Sequence, residues 1–137
     1  MIGIPLQSVT VETEHLGALV SNLARRAVAC SRWRWLPGMR GVDVAGRQWR
    51  RNIASWTGEG HGIRTCRGEL LPDLSDPATV GCLLALVREA WGDPCLHVGL
   101  LPARWGVWTS QNMPLHECVG KALTEAEALV AALEAAP

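Results

Sequence analysis

Residues 74–94 read LSDPATVGCLLALVREAWGDP, and the reading of this stretch decides how the rest of the chain divides. Ser75 or Asp76 stands where a helix N-cap belongs, Pro77 takes the first helical position, and Gly92-Asp93-Pro94 supplies a stop. Between those ends Val80, Leu83, Leu84, Val87 and Trp91 recur at helical spacing as one apolar stripe. The spacing predicts a helix over 77–91. On both sides of it the pattern shortens to period-two runs broken by glycine and proline.

Working outward, residues 12–29 carry Leu16, Leu19, Val20, Leu23 and Ala27 on one stripe, with Thr10 or Thr13 as a cap, and read as a first helix. Residues 32–36, 40–44 and 47–54 alternate apolar and polar side chains and read as strands of an antiparallel meander. Residues 57–69 are punctuated by glycine and read as a loop. Beyond the central helix, 95–101, 104–110 and 115–120 are short strand candidates. Thr124 and Glu127 then form a T-x-x-E capping box that opens an alanine-rich helix running to about Ala135. The expectation is an α+β fold over 1–137 as one domain, an antiparallel sheet of about five to six short strands packed by three helices.

An offset of 65 aligns CSRWRWLPGMRGV (30–42) with CLHVGLLPARWGV (95–107), matching Cys30/Cys95, Leu36/Leu101, Pro37/Pro102, Gly41/Gly106 and Val42/Val107. The match raises a duplicated α-β-β unit. Against it stands the fact that the matched residues are common types.

A chain of 137 residues buries enough surface to fold without a metal or disulfide framework. The opening MIGIPLQSVTVETEH turns polar at once, unlike a secretory leader, and no apolar run approaches a membrane span. Five cysteines, widely spaced and without a CxxC, read as reduced thiols. Together these predict a cytoplasmic protein.

The zero net charge hides an asymmetry. Residues 21–70 carry ten arginines against Asp43, Glu59 and Glu69, a balance of +7, whereas residues 71–137 stand at −5. Twelve of the thirteen basic residues are arginine, whose planar fork suits phosphate and carboxylate. The aromatic set is seven tryptophans with no tyrosine or phenylalanine. As a strand, SRWRW (31–35) puts Arg32 and Arg34 on one face and Trp33 and Trp35 on the other. Adding Arg40, Arg47, Arg50 and Arg51, with Trp49 beside them, gives a basic face able to hold an anionic ligand such as a nucleotide, phosphate on guanidinium and base on indole. The bland reading of the same residues is a half-buried strand with its arginines in water.

Other chemistries find less support. No helix-turn-helix or zinc-finger spacing occurs, and a chain without excess positive charge is not expected to hold duplex DNA. Cys95-x-His97 and His116-x-Cys118 hint at a metal but lack the tight turns of structural zinc, so no metal and no cofactor are expected. The same histidines lack the hydroxyls of the paired motifs in two-histidine phosphoesterases. TGEGHG (57–62) has no GK[ST] and is a weak phosphate loop. Cys66, between Arg64 and Arg67 with His61 nearby, is the one candidate nucleophile. No catalytic residue is otherwise expected, and the reading is of a non-enzymatic binding protein.

Three stretches carry a resemblance: LARRAVACSRWRWLPGMRGV (23–42), LPDLSDPATVGCLLALVREAWGDP (71–94) and EAEALVAALEAAP (125–137). In them the chain resembles small uncharacterised proteins encoded in phages and prophages of proteobacteria. The resemblance carries no catalytic motif and no site residue. What it implies is a setting, an accessory protein of counter-defence type that sequesters a nucleotide signal or, as the alternative, inhibits a host defence protein directly. Surplus tryptophan adds the expectation of a homo-dimer or higher oligomer.

Overall fold

The central helix forms where its caps predict, over Pro77–Trp91. Asp76 is the N-cap, and the backbone N–H of Gly92 closes the other end on the carbonyls of Arg88 and Glu89. The computed structural model describes residues 21–58, 60, 62–64, 69–110 and 118–137. Within them a helix over 21–29 (α1) precedes five strands, β1 (Arg40–Asp43), β2 (Gln48–Arg51), β3 (Trp56–Gly58), β4 (Gly62–Arg64) and β5 (Leu70–Pro72). The central helix is α2. After it come β6 (His97–Leu100), β7 (Trp105–Trp108), β8 (Gly120–Ala122) and a last helix, α3 (Glu125–Glu134). The start of the first predicted helix and residues 115–117 of the last predicted strand lie outside the described residues.

The fold is α+β with three helices, but its strands divide into two antiparallel sheets rather than one. The larger has the order β4-β3-β2-β1-β5 and the smaller β6-β7-β8. Two sequence expectations fail for physical reasons. Residues 32–36 alternate in exposure as a strand would, yet they pair with no strand. Trp33 still bonds back to the Cys30 carbonyl at the end of α1, and pairing begins only where Gly38 donates to the Arg51 carbonyl. Conversely, 57–69 is not all loop. Gly60 and Gly62, at φ 72° and 85°, turn β3 into β4 through a conformation that only glycine adopts freely. The glycines that argue against a strand make the hairpin.

Among the described residues the duplicated unit is not confirmed. β1 and β7 lie 65 residues apart, but 32–35, the counterpart of β6, is unpaired, and the sheets differ in strand number.

The main core lies among the three helices and the smaller sheet: Ala24 and Ala27 of α1, Leu83, Leu86 and Val87 of α2, Leu96, Val107, and Leu129, Val130 and Leu133 of α3. Thr124 caps α3, accepting from the Glu127 N–H at 3.2 Å. The helix then lies so close to β8 that a Cβ on Gly120 would meet the Ala128 carbonyl and stand 2.7 Å from the Ala132 nitrogen. α2 and α3 run side by side in the same direction. Their starts flank one groove, and at the other end the Trp91 indole donates to the Ala132 carbonyl at 2.8 Å. The C-terminal end of α1 reaches the same place, since Arg26 grips Glu134.

Two glycine substitutions test this packing in opposite directions. Gly120→Ala drives a methyl into backbone and is expected to destabilise by about 3 kcal/mol. Gly81→Ala, on the exposed side of α2 with nothing within 4 Å of its Cβ, is expected to stabilise by about 0.5–1 kcal/mol. Urea unfolding reads both, and equal effects would contradict the α3–β8 contact.

Candidate functional site

Arg40 and Arg50 are direct partners across β1 and β2, and two guanidinium groups on one face repel unless an anion joins them. Asp76 is that anion. Its carboxylate accepts from Arg50 Nη1 at 2.7 Å and Nη2 at 3.3 Å and lies 3.6 Å from Arg40 Nη2. The same carboxylate caps α2, accepting from the Thr79 backbone N–H at 3.0 Å and its hydroxyl at 2.8 Å. Thr79 Oγ1 in turn accepts from the Arg40 backbone N–H at 2.8 Å, and Arg50 also donates to the Gly38 carbonyl at 2.8 Å. Asp73 adds a second carboxylate 3.5 Å from Arg40. Thr79 is fully buried and Asp76 only 7% exposed. Arg50 beside it, with the Thr79 donors, overcomes the opposing effect of burial and holds the Asp76 carboxyl down at about 2. The same bond raises the Arg50 pKa.

On the opposite face of the larger sheet the register sets Trp49 and Gly58 together and Arg51 beside Trp56. Trp49 is buried and its indole N–H donates to Asp43 Oδ2 at 3.1 Å, a bond that holds the Asp43 carboxyl below its ordinary value. Trp56 packs edge-on to Trp35 at 4.8 Å, and Trp35 edge-on to Trp33 at 5.4 Å. The Arg51 guanidinium lies over Trp56, 5.4 Å from its centroid. Trp49 thus presents no open face for stacking.

Arg32 and Arg34 stand elsewhere. The C-terminal ends of the three helices converge around residues 31–34, and their carbonyl ends carry partial negative charge. Arg26 forks onto Glu134, with Nη2 at 2.6 Å and Nε at 3.3 Å. Arg32 donates to the Pro137 carbonyl, and Arg34 meets Glu89 at 2.6 Å. Ser31, Arg32, Trp33 and Arg34 line a cleft of about 210 Å³ against Leu86, Glu89 and Ala90 of α2. Trp33, in the wall of that cleft, has its indole N–H buried without an acceptor. The Arg34–Glu89 pair is more than half exposed on both sides, so it holds its geometry weakly against a competing anion.

The seven residues singled out in the sequence therefore do not form one surface. Arg40 and Arg50 join in the Asp76 network, Trp49 is buried, Arg51 lies on the other face over Trp56, and Arg47 is exposed in the β1–β2 turn. Only Arg32 and Arg34 share a cleft. Asp76, Thr79 and Glu89 were missed as partners; the first two show in the sequence only as helix-start residues, and Glu89 has no local signal.

Burial pushes the Cys30 and Cys82 thiols up, the setting of packed rather than nucleophilic cysteines. Cys66, His61 and His116 lie outside the described residues. His97 stacks on Trp108 at 5.3 Å, and among the described residues no group of three or more His, Cys, Asp or Glu is disposed to hold a metal ion. No helix among the described residues is long and apolar enough to cross a membrane. Compared with known protein families, curated proteins and solved structures, the chain matches none of them.

Because the Asp76 carboxyl sits at about 2 instead of 3.8, its ionised form stabilises the fold above the ordinary value, and that stabilisation is lost as pH falls toward about 2. Asp76→Asn leaves the partly buried Arg50 guanidinium without its anion and Arg40 with Asp73 alone, and is expected to cost about 3 kcal/mol at neutral pH. Urea midpoints across an acid pH series should show a shallower acid dependence in the variant. An unchanged acid limb would contradict the network.

Proposed function

We propose that this protein is a non-catalytic binding protein that holds a small anionic ligand, of the nucleotide class, in the cleft between Arg32 and Arg34. The observation that carries the reading is the cleft itself: two exposed guanidinium groups flank Trp33, whose buried indole N–H has no acceptor. Arg34 uses one of its five donors on Glu89 and Arg32 one on the Pro137 carbonyl, so both keep donors for a phosphate. An incoming phosphate displaces an exposed carboxylate, and the two guanidinium groups must offset the partial negative charge of the helix carbonyl ends around it. In the phage or prophage setting that the sequence resemblance implies, a nucleotide signal of host defence is the ligand of that chemistry.

The basic meander expected to complete the surface contributes less. Arg40 and Arg50 face Asp73 and Asp76, so their charge is already answered. A direct inhibitor of a host protein is the second reading. It draws on the β1–β2 turn, where Val44 is 88% exposed beside the exposed Arg47.

Calorimetry with a panel of mono- and dinucleotides tests the first reading. The native protein should bind at least one of them, Arg32→Ala with Arg34→Ala should weaken that binding by more than about tenfold, and Arg47→Ala should leave it unchanged. Absence of heat at high protein concentration for every member would overturn the ligand reading. Loss of binding in the Arg47 variant alone would move the site to the turn.

A further inference from the structure

The outer edge of a sheet offers backbone N–H and C=O groups to any extended chain, and proteins guard such edges with charge or proline. The two sheets have four edges among the described strands. β4 ends in Arg64, β5 contains Pro72 and β8 carries the exposed Lys121. β6, with the sequence HVGL, has no acid, lysine, arginine or proline, and its Leu100 is 69% exposed. The hairpin to β7 fixes which of its groups are open. Leu101 and Arg104 bond to each other both ways, at 2.7 and 3.4 Å, so by the register Gly99 and His97 also bond toward β7. The N–H and C=O of Val98 and Leu100 therefore point away from the sheet. Two neighbours follow the same alternation. The Leu96 carbonyl, two residues before Val98, turns outward to Arg88 Nε at 2.8 Å. Val107, opposite Val98, turns its carbonyl the other way, to the Val119 N–H at 2.8 Å. Among the described residues nothing bonds to the outward groups of Val98 and Leu100.

We propose that this edge is a homodimer interface, in which β6 pairs antiparallel with β6 of a second copy about a two-fold axis at Gly99. Such an axis must set outward-facing residues against outward-facing residues. At Gly99 it sets Val98 against the second copy's Leu100, and Leu100 against the second copy's Val98. Each facing pair exchanges two N–H to C=O bonds, so all the open groups are used. An axis at Val98 would call on the Leu96 carbonyl, which Arg88 already holds. An axis at Leu100 would set Val98 against Pro102, which has no N–H to give. The side chains agree with the choice. Val98, partly buried, and the exposed Leu100 lie on one face of the strand and meet across the axis as apolar neighbours. A two-fold axis brings like charges on the strand near one another, and β6 carries none of the acids, lysines or arginines that would repel there. Pairing joins two three-stranded sheets into one continuous sheet.

Sedimentation equilibrium over a concentration series, with amide hydrogen exchange at its two ends, tests this. The native protein should pass from monomer to dimer as concentration rises, and the Val98 and Leu100 amides should gain protection in step with the dimer. Leu100→Lys should weaken dimerisation by more than about tenfold. Leu100→Pro should do the same, since it removes an outward N–H and leaves the bonds to β7 in place. Ile63→Lys, at a similarly exposed residue on the β4 edge, should leave the dimer unchanged. Thermal melts of each variant separate loss of pairing from loss of fold. A native protein that stays monomeric at millimolar concentration overturns the pairing. So does a dimer whose Val98 and Leu100 amides exchange as fast as in the monomer, that survives both Leu100 variants, or that Ile63→Lys dissociates equally.

Discussion

One buried carboxylate decides how the parts of this protein sit together. Asp76 closes the first turn of α2, bonds to Thr79, and stands between two arginines that the β1–β2 register places side by side. None of the residues of the main apolar core belongs to β1–β5; Met39 precedes β1 and Leu74 follows β5. The larger sheet is therefore joined to the helices, among the described residues, by Leu71, by the Trp35 indole against Gly41, and by this polar network. A network of that kind stabilises only when every member is satisfied. Here the cap, the hydroxyl, the backbone N–H of Arg40 and both guanidinium groups have partners.

The same logic explains the lopsided charge of the chain. The basic stretch 21–70 and the acidic stretch 71–137 meet in space: Arg26 with Glu134, Arg34 with Glu89, Arg40 with Asp73 and Asp76, Arg50 with Asp76. The exposed pairs contribute little energy each, and their value is orientation. Clustered arginine in the sequence is thus in part a docking code between the halves, used by four of the ten arginines of residues 21–70. It leaves less positive charge for an external polyanion than the local balance of +7 suggests. What remains open is concentrated at residues 31–34, where helix carbonyl ends and arginines face one another across two small hollows.

Much of the fold was legible because it is written locally. Asp76-Pro77 and Gly92-Asp93-Pro94 bracket α2, Thr124 opens α3, and β6 and β7 lie inside the predicted runs. The failures are equally instructive. Alternation at 32–36 reflects tryptophans packing inward and arginines pointing outward along an unpaired segment, so the pattern survives without the ladder. The hairpin at 56–64 is hidden because its turn needs the glycines that lower strand propensity. Trp49 looked like a platform because sequence cannot show Asp43 folding back onto its indole. Opposition of Arg40 and Arg50, and the acid between them, depends on register and on a contact 26 residues away.

The arginines divide by setting: Arg40 and Arg50 are tied into the Asp76 network, whereas Arg32 and Arg34 are exposed and hold single, exposed partners. Unfolding free energies of Arg50→Met and Arg34→Met compare the two settings directly, since both changes remove a guanidinium and keep an apolar stem. Arg50→Met should lose about 2–3 kcal/mol, because Asp76 is left buried without its main partner. Arg34→Met should stay within about 0.5 kcal/mol of the native protein. Equal losses, or a larger one at Arg34, would contradict the division.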